Sequence, residues 1–318
     1  MNNNIYWGFM IYLSEHMWGD EDSPARGWYI PKDYSENNST DVATWDATVQ
    51  YLGTHGYNML LVDVGDGMKF DSHPEISAPN AWDKDFLKKK LDEARALGLT
   101  PIPKLNFSTC HSTWMKEYRR MVSTPTYYRV CADLIKEVCE AFGNPPLFHL
   151  GFDEEAAGAV TTEMLVVRGP KLWWHDLHFL AAECEKNGSR PWIWSDYIWS
   201  HEAEFVKNMS KEIMQSNWYY GTFHVHNPNG EYPSDRYIET YERLDRLGYD
   251  QIATCSSFCN VHNSRQTVAH CKEKLSKELF KGFLVAPWIP TTPDNKHGLL
   301  CDAERFYFGR KEFWPESF

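Results

Sequence analysis

Three consecutive carboxylates, Asp153, Glu154 and Glu155, close the apolar run Leu147-Phe148-His149-Leu150-Gly151-Phe152 and are followed by Ala156-Ala157-Gly158. The run has the length and composition of a buried strand, so the acids stand where a strand gives way to a loop. At the carboxyl end of a strand in a parallel sheet or barrel, neighbouring carboxylates can be given different protonation states by their surroundings, as acid–base chemistry requires. The same residues also suit a helix N-cap or a solvated loop, and three acids alone do not separate these readings.

Other polar and aromatic residues follow apolar runs in the same way: Asp63 and Asp66, Asn106 and His111, Trp194 and Asp196, then Trp218, Tyr219 and Tyr220, Asn260, and Trp288. Acids and aromatic rings with few cations suit a sugar, whose apolar faces stack on rings while polar neighbours take its hydroxyls. A phosphate would call for Lys or Arg. Two histidine pairs, His224-Val225-His226 and His175-Asp176-Leu177-His178, have no third ligand at a recognised spacing, so no metal and no other cofactor is expected. No GxSxG occurs, which leaves a serine nucleophile without its elbow.

Residues collected at strand ends need a scaffold that brings those ends together. Apolar helical spacing is read over 41–54, 82–97, 125–142, 170–186, 201–209, 234–247, 264–280 and 302–308. Strand-length runs are read over 6–13, 57–64, 99–106, 147–152, 191–195, 212–218, 250–255 and 283–288. Gly98, Gly143, Gly188, Gly248 and Gly282 stand between helix and strand, where helix C-caps close αβ loops. Eight alternating units in 318 residues predict an α/β fold of the (β/α)8 TIM barrel type, one domain over residues 1–318. An open doubly wound sheet would carry a Gly-rich loop after its first strand, and Leu13-Ser14-Glu15-His16 is not one.

Composition narrows the partner. Asp plus Glu number 44 against 32 Lys plus Arg, a net charge of −12 that disfavours nucleic acid and favours a neutral carbohydrate substrate. The 14 Trp and 17 Tyr exceed what a core requires. Eight cysteines form no CxxC pair and lean toward a reducing compartment. No run is long enough to span a membrane, and the first residues lack a signal-peptide pattern, so the compartment reads as cytoplasmic, or periplasmic or secreted if a leader was trimmed.

His149-Leu150-Gly151-Phe152-Asp153-Glu154 resembles the His-x-Gly-x-Asp-Glu element of glycoside hydrolase family 20, the β-N-acetylhexosaminidases. Asn58 to Ile76, with Asp66, is similar to the family's second-strand segment, and Pro101 to His111 to its third. Trp194 and Asp196 match a Trp-x-Asp/Glu element, and Trp288 an eighth-strand Trp. The resemblance implies a retaining hydrolysis in which the substrate's own 2-acetamido oxygen replaces an enzyme nucleophile. Glu154 is then the general acid and base, its proton held near working pH by burial or nearby negative charge, and Asp153 stays ionised to hold the acetamido N–H. His111 and Asp66 are expected to support the pair, and Trp194, Trp218 and Trp288 to wall the subsite. His149, Asp196, Tyr219 and Asn260 complete the expected substrate-binding set.

Three departures stand out. Trp7 takes the place of an Arg that grips sugar hydroxyls, Phe258 that of a Tyr that bonds the acetamido carbonyl unless Tyr219 or Tyr220 substitutes, and Pro290 that of a Glu after Trp288. Two further readings stay open: a sugar-binding barrel without turnover, and a conventional retaining glycosidase with Glu155, Asp196 or Asp66 as nucleophile.

Overall fold

Strands that read as continuous apolar runs fit a parallel sheet covered on both faces. The computed structural model describes residues 5–17, 35–155, 166–223 and 235–318 and shows that arrangement. The strands are β1 (Tyr6–Tyr12), β2 (Met59–Asp63), β3 (Thr100–Lys104), β4 (Leu147–His149), β5 (Arg190–Trp194), β6 (Met214–Ser216), β7 (Gln251–Cys255) and β8 (Phe280–Val285). They close in sequence order into a parallel barrel, β8 returning to β1. The helices are α1 (Val42–Thr54), α2 (Lys84–Ala96), α3 (Pro125–Ala141), α4 (Pro170–Lys186), α5 (Ile198–Asn208), α6 (Asp235–Arg246), α7 (Asn263–Lys274) and α8 (Lys296–Phe313). This is the predicted (β/α)8 barrel.

Local chemistry sets the helix starts. Asp41, Asp83 and Thr124 each accept a hydrogen bond from the amide three residues on, at the heads of α1, α2 and α3. Register then fixes depth. Tyr12 pairs with Asp63, Asp63 with Lys104, Lys104 with His149 and His149 with Trp192, one layer running across five strands. Residues after this layer share the carboxyl rim.

Several elements differ from the sequence reading, β6 among them, which spans only Met214–Ser216. β4 is three residues long, because the chain turns at Gly151. A 3-10 helix over Thr113–Arg120 was not foreseen. The helix read over 264–280 ends at Lys274, and Gly282 lies inside β8, where a Cβ would come within 2.2 Å of the Tyr6 carbonyl oxygen. That close approach of two strands, not a helix cap, is its role. The last helix is 18 residues rather than a short one.

Trp7, near the start of β1, stacks on Phe283 (5.6 Å between centroids), meets Trp314 edge-on (5.7 Å), and lies under the Arg310 guanidinium at 4.1 Å. Its ring is packed between barrel and α8 at the amino end. The expectation that it occupies a sugar-gripping position is therefore wrong.

Candidate active site

The turn after β4 is held in conformations that side-chain-bearing residues rarely adopt. Gly151, Phe152 and Glu154 have φ of 75°, 69° and 59°. A Cβ on Gly151 would fall 1.9 Å from Asn106 Oδ1, so only glycine fits. Positive φ at two non-glycine residues persists where surrounding contacts over-determine it. Here they do: Ser108 Oγ donates to the Asp153 carbonyl (2.5 Å), Cys110 Sγ to the Glu154 carbonyl (3.0 Å), and the Glu154 amide donates to Asp196 Oδ2 (2.9 Å).

The turn sends two carboxylates toward one imidazole. His111 Nε2 lies 3.1 Å from Glu154 Oε2 and 3.4 Å from Asp153 Oδ2. Asn106 Nδ2 donates to the other Asp153 oxygen at 3.0 Å. The Asp153 side chain is 8% exposed and that of Glu154 37%, so the second faces the opening. Burial disfavours charge on His111, yet the Asp153 carboxylate and the hydrogen bond to Glu154 outweigh it and raise its pKa. Burial likewise opposes charge on Glu154, but the His111 hydrogen bond and charge prevail and lower it. Both shifts favour the proton on His111, whereas the sequence reading has it held on Glu154. Asp196 is the carboxyl that retains a proton: burial first, then the Asp153 charge, push it up to about 8.

An aromatic wall stands beside these groups. Trp194 lies 5.9 Å from Trp288, Trp288 6.1 Å from Tyr220, and Tyr220 stacks on Trp218 at 5.2 Å. Trp288 itself has φ 55°. Alternation along the chain puts Tyr220 with Trp218 and turns Tyr219 the other way, against Phe223 and Tyr237 at 5.7 and 6.0 Å. Tyr220 lies within electrostatic reach of Asp153 and Glu154, while the Tyr219 ring faces away from them.

Other expected residues serve elsewhere. Asn260 uses its amide on Gly221, Thr222 and Gln266 and its oxygen on the His262 amide, tying two loops together. His149 is fully buried against Trp192 and Trp194, and its Nδ1 accepts the Gly151 amide at 3.0 Å. Burial, then the Lys104 charge, hold it far below the usual imidazole range, so it shapes the turn as a neutral ring. Asp66 binds Ser14 (2.5 Å), His16 (2.9 Å) and Lys116 (2.8 Å) on the same rim, not the Asp153–Glu154 pair. Glu155 accepts the Thr109 amide (2.8 Å) and the Arg168 guanidinium, which also binds Asp176, so it anchors the turn from behind. Phe258 is exposed, and Pro290 offers its carbonyl to Thr292 and Asn295.

Lys104, wholly buried and paired with Asp63, was missed, although a lysine ending the apolar run Thr-Pro-Ile-Pro is a readable signal. Tyr12, coupled to Asp63, Tyr220 and Asp153, carried none. Of the histidine pairs, His224 and His226 lie outside the described residues, and His175 and His178 are exposed on α4. Among the described residues, His111, Asp153 and Glu154 present three metal-type donor atoms within 4.8 Å of one another.

No family model matches the sequence, and no curated protein matches it in sequence. Solved structures match the fold. Chitobiase from Flavobacterium johnsoniae aligns with TM-score 0.63 at 16% identity, over 95% of this chain and 48% of that one. A family 20 exo-β-N-acetylglucosaminidase from Vibrio harveyi, in complex with N-acetylglucosamine, gives 0.63 at 12%, over 98% and 57%. A β-N-acetylhexosaminidase from Bacteroides fragilis gives 0.63 at 12%, over 98% and 70%. The barrel thus has the glycoside hydrolase family 20 fold. The chain spans about half the length of the first two structures it matches.

Proposed function

We propose that this barrel is a retaining glycoside hydrolase acting on glycans that contain N-acetylhexosamine. The observation that carries the reading is the sharing of His111 by Asp153 and Glu154 beside the Trp194–Trp288–Tyr220–Trp218 wall. Sugar faces stack on such rings, and a substrate seated there excludes water from the carboxylates. Desolvation favours the neutral partners of an ion pair, so the proton passes from His111 Nε2 to Glu154. Glu154 gives it to the glycosidic oxygen as the C1–O bond breaks and the acetamido oxygen closes on C1. Asp153, fixed by Asn106, accepts the acetamido N–H and offsets the positive charge of the oxazolinium. Glu154 then takes a proton from water as that water opens the ring at C1, restoring the original configuration.

Hydroxyl recognition falls to the rim, where Lys116, held by the buried Asp66, offers a cation, and Tyr220 lies within electrostatic reach of the pair. Hydrolysis of an aryl N-acetyl-β-glucosaminide or galactosaminide, with and without a thiazoline inhibitor, tests the reading. Thiazoline-sensitive turnover is expected. Glu154→Gln should remove about 10²–10⁴-fold of it with the fold intact, the range for a lost acid–base group. Turnover unchanged in that variant, or a covalent glycosyl-enzyme, rejects the scheme. A barrel that binds sugar without turnover is the second reading, favoured because neither Trp7, buried at the far end of β1, nor the exposed Phe258 supplies the cation or phenol of a sugar clamp.

A further inference from the structure

Glu154 adopts a backbone conformation unfavourable to a side-chain-bearing residue, and the hydrogen bond on its own amide comes from Asp196, two residues beyond β5. The bond is 2.9 Å long and made by Oδ2, whereas Oδ1 is buried with no hydrogen-bond partner among the described residues. The neighbouring carbonyls of the turn are held by Ser108 and Cys110 from the β3 side, so Asp196 is the counter-grip from the β5 side. Remove it, and residue 154 is free to leave the left-handed region and carry its carboxylate away from His111. We propose that Asp196 is a positioning residue for the proton donor, its side chain fixing the turn that aims Glu154 at His111. This rests on the reading of Glu154 as that donor.

The aim of Glu154 has a pH limit. Asp153 and Glu154 face Asp196 from the β4 turn, with His111 from the β3 loop and Tyr220 from beyond β6 behind them. Burial and the two anions keep Asp196 neutral up to about pH 8, so its carbonyl oxygen holds the amide without adding charge. Above that, the ionised Asp196 holds the amide more strongly, but a third anion joins two carboxylates that share one imidazolium and its repulsion moves the Glu154 carboxylate off His111.

The test compares the whole chain with Asp196→Asn and Asp196→Ala, measuring kcat and KM on an aryl N-acetylglucosaminide from pH 5 to 9. Asparagine keeps an oxygen for the Glu154 amide and does not titrate. It should hold kcat within about threefold at pH 6 and lose the part of the alkaline fall near pH 8 that Asp196 adds to loss of the His111 proton, while alanine should lose about 30-fold or more in kcat with little change in KM, a misplaced acid rather than a lost binding contact. Equal losses in both variants, or an alkaline limb in Asp196→Asn that superposes on the parent's, overturn the inference. Should the alanine variant not fold, the asparagine profile decides alone. A nitrogen-15 titration of His111 reads the same geometry without turnover: its pKa should fall further in Asp196→Ala than in Asp196→Asn, and equal values overturn the proposal. Failure of the hydrolase reading would show separately, as turnover indifferent to Glu154→Gln.

Discussion

The surroundings of the site favour charge on His111 and Glu154 and oppose it on Asp196, so neighbouring carboxyls are pushed in opposite directions. The push on Asp196 has a consequence for stability. Asp196 titrates near about 3.9 in an unfolded chain and at about 8 in the folded one. Between those values the folded protein binds the extra proton, so this residue's contribution to stability declines as pH rises through the window and levels off above it. Asp196→Asn, which does not titrate, should gain in melting temperature relative to the parent between pH 5 and pH 8; a constant difference would refute the buried proton. The convergence of Asp153, Glu154 and His111 was foreseeable because their types stand at strand ends in the right order. The directions taken by Tyr219 and Asn260 were not legible, because a three-residue β6 gives too little pattern to set alternation, and because an asparagine in a loop bonds loop backbone as readily as ligand.

The element that controls the site is the turn after β4, and Gly151 is its pivot. Gly151→Ala would place a methyl on Asn106 in a backbone region alanine avoids, moving the amide that holds Asp153. A loss of about 1–3 kcal/mol is expected from the conformation alone, and urea unfolding measures it; kcat should fall as well, because Asn106 cannot keep both positions. Unchanged stability and kcat would mean the turn is not constrained as described. Most strands and helices were readable from period and glycine punctuation. The end of α7 was not, because Leu275, Leu279 and Phe280 continue a helical spacing while Gly282 imitates a cap; only the approach of β1 reveals that it is strand.

At the scale of the whole molecule the barrel divides its work between two ends. The rim collects charge and exposed polar groups, while the amino end is closed by Trp7, Phe283, Phe306, Trp314 and Arg310, with Arg310 also donating to the Gly56 carbonyl. Trp7→Ala should therefore lower stability by about 3–5 kcal/mol, the range for emptying a large buried ring, with KM for the sugar unchanged in the folded fraction. A raised KM at full stability would return Trp7 to the binding site. Parallel closure in sequence order was foreseeable from eight repeated units, but which face of β1 each residue takes was not, since every position of that strand is apolar or small. The rings of Trp194, Trp288, Tyr220 and Trp218 follow one another at 5.9, 6.1 and 5.2 Å, from the fully buried Trp194 to the half-buried other three. Light absorbed by Tyr220 can pass to its indole neighbours, whose emission colour depends on how much water surrounds them. The cleft thus carries its own optical reporter, and a glycan settling over it should announce itself by a blue-shifted glow without any label.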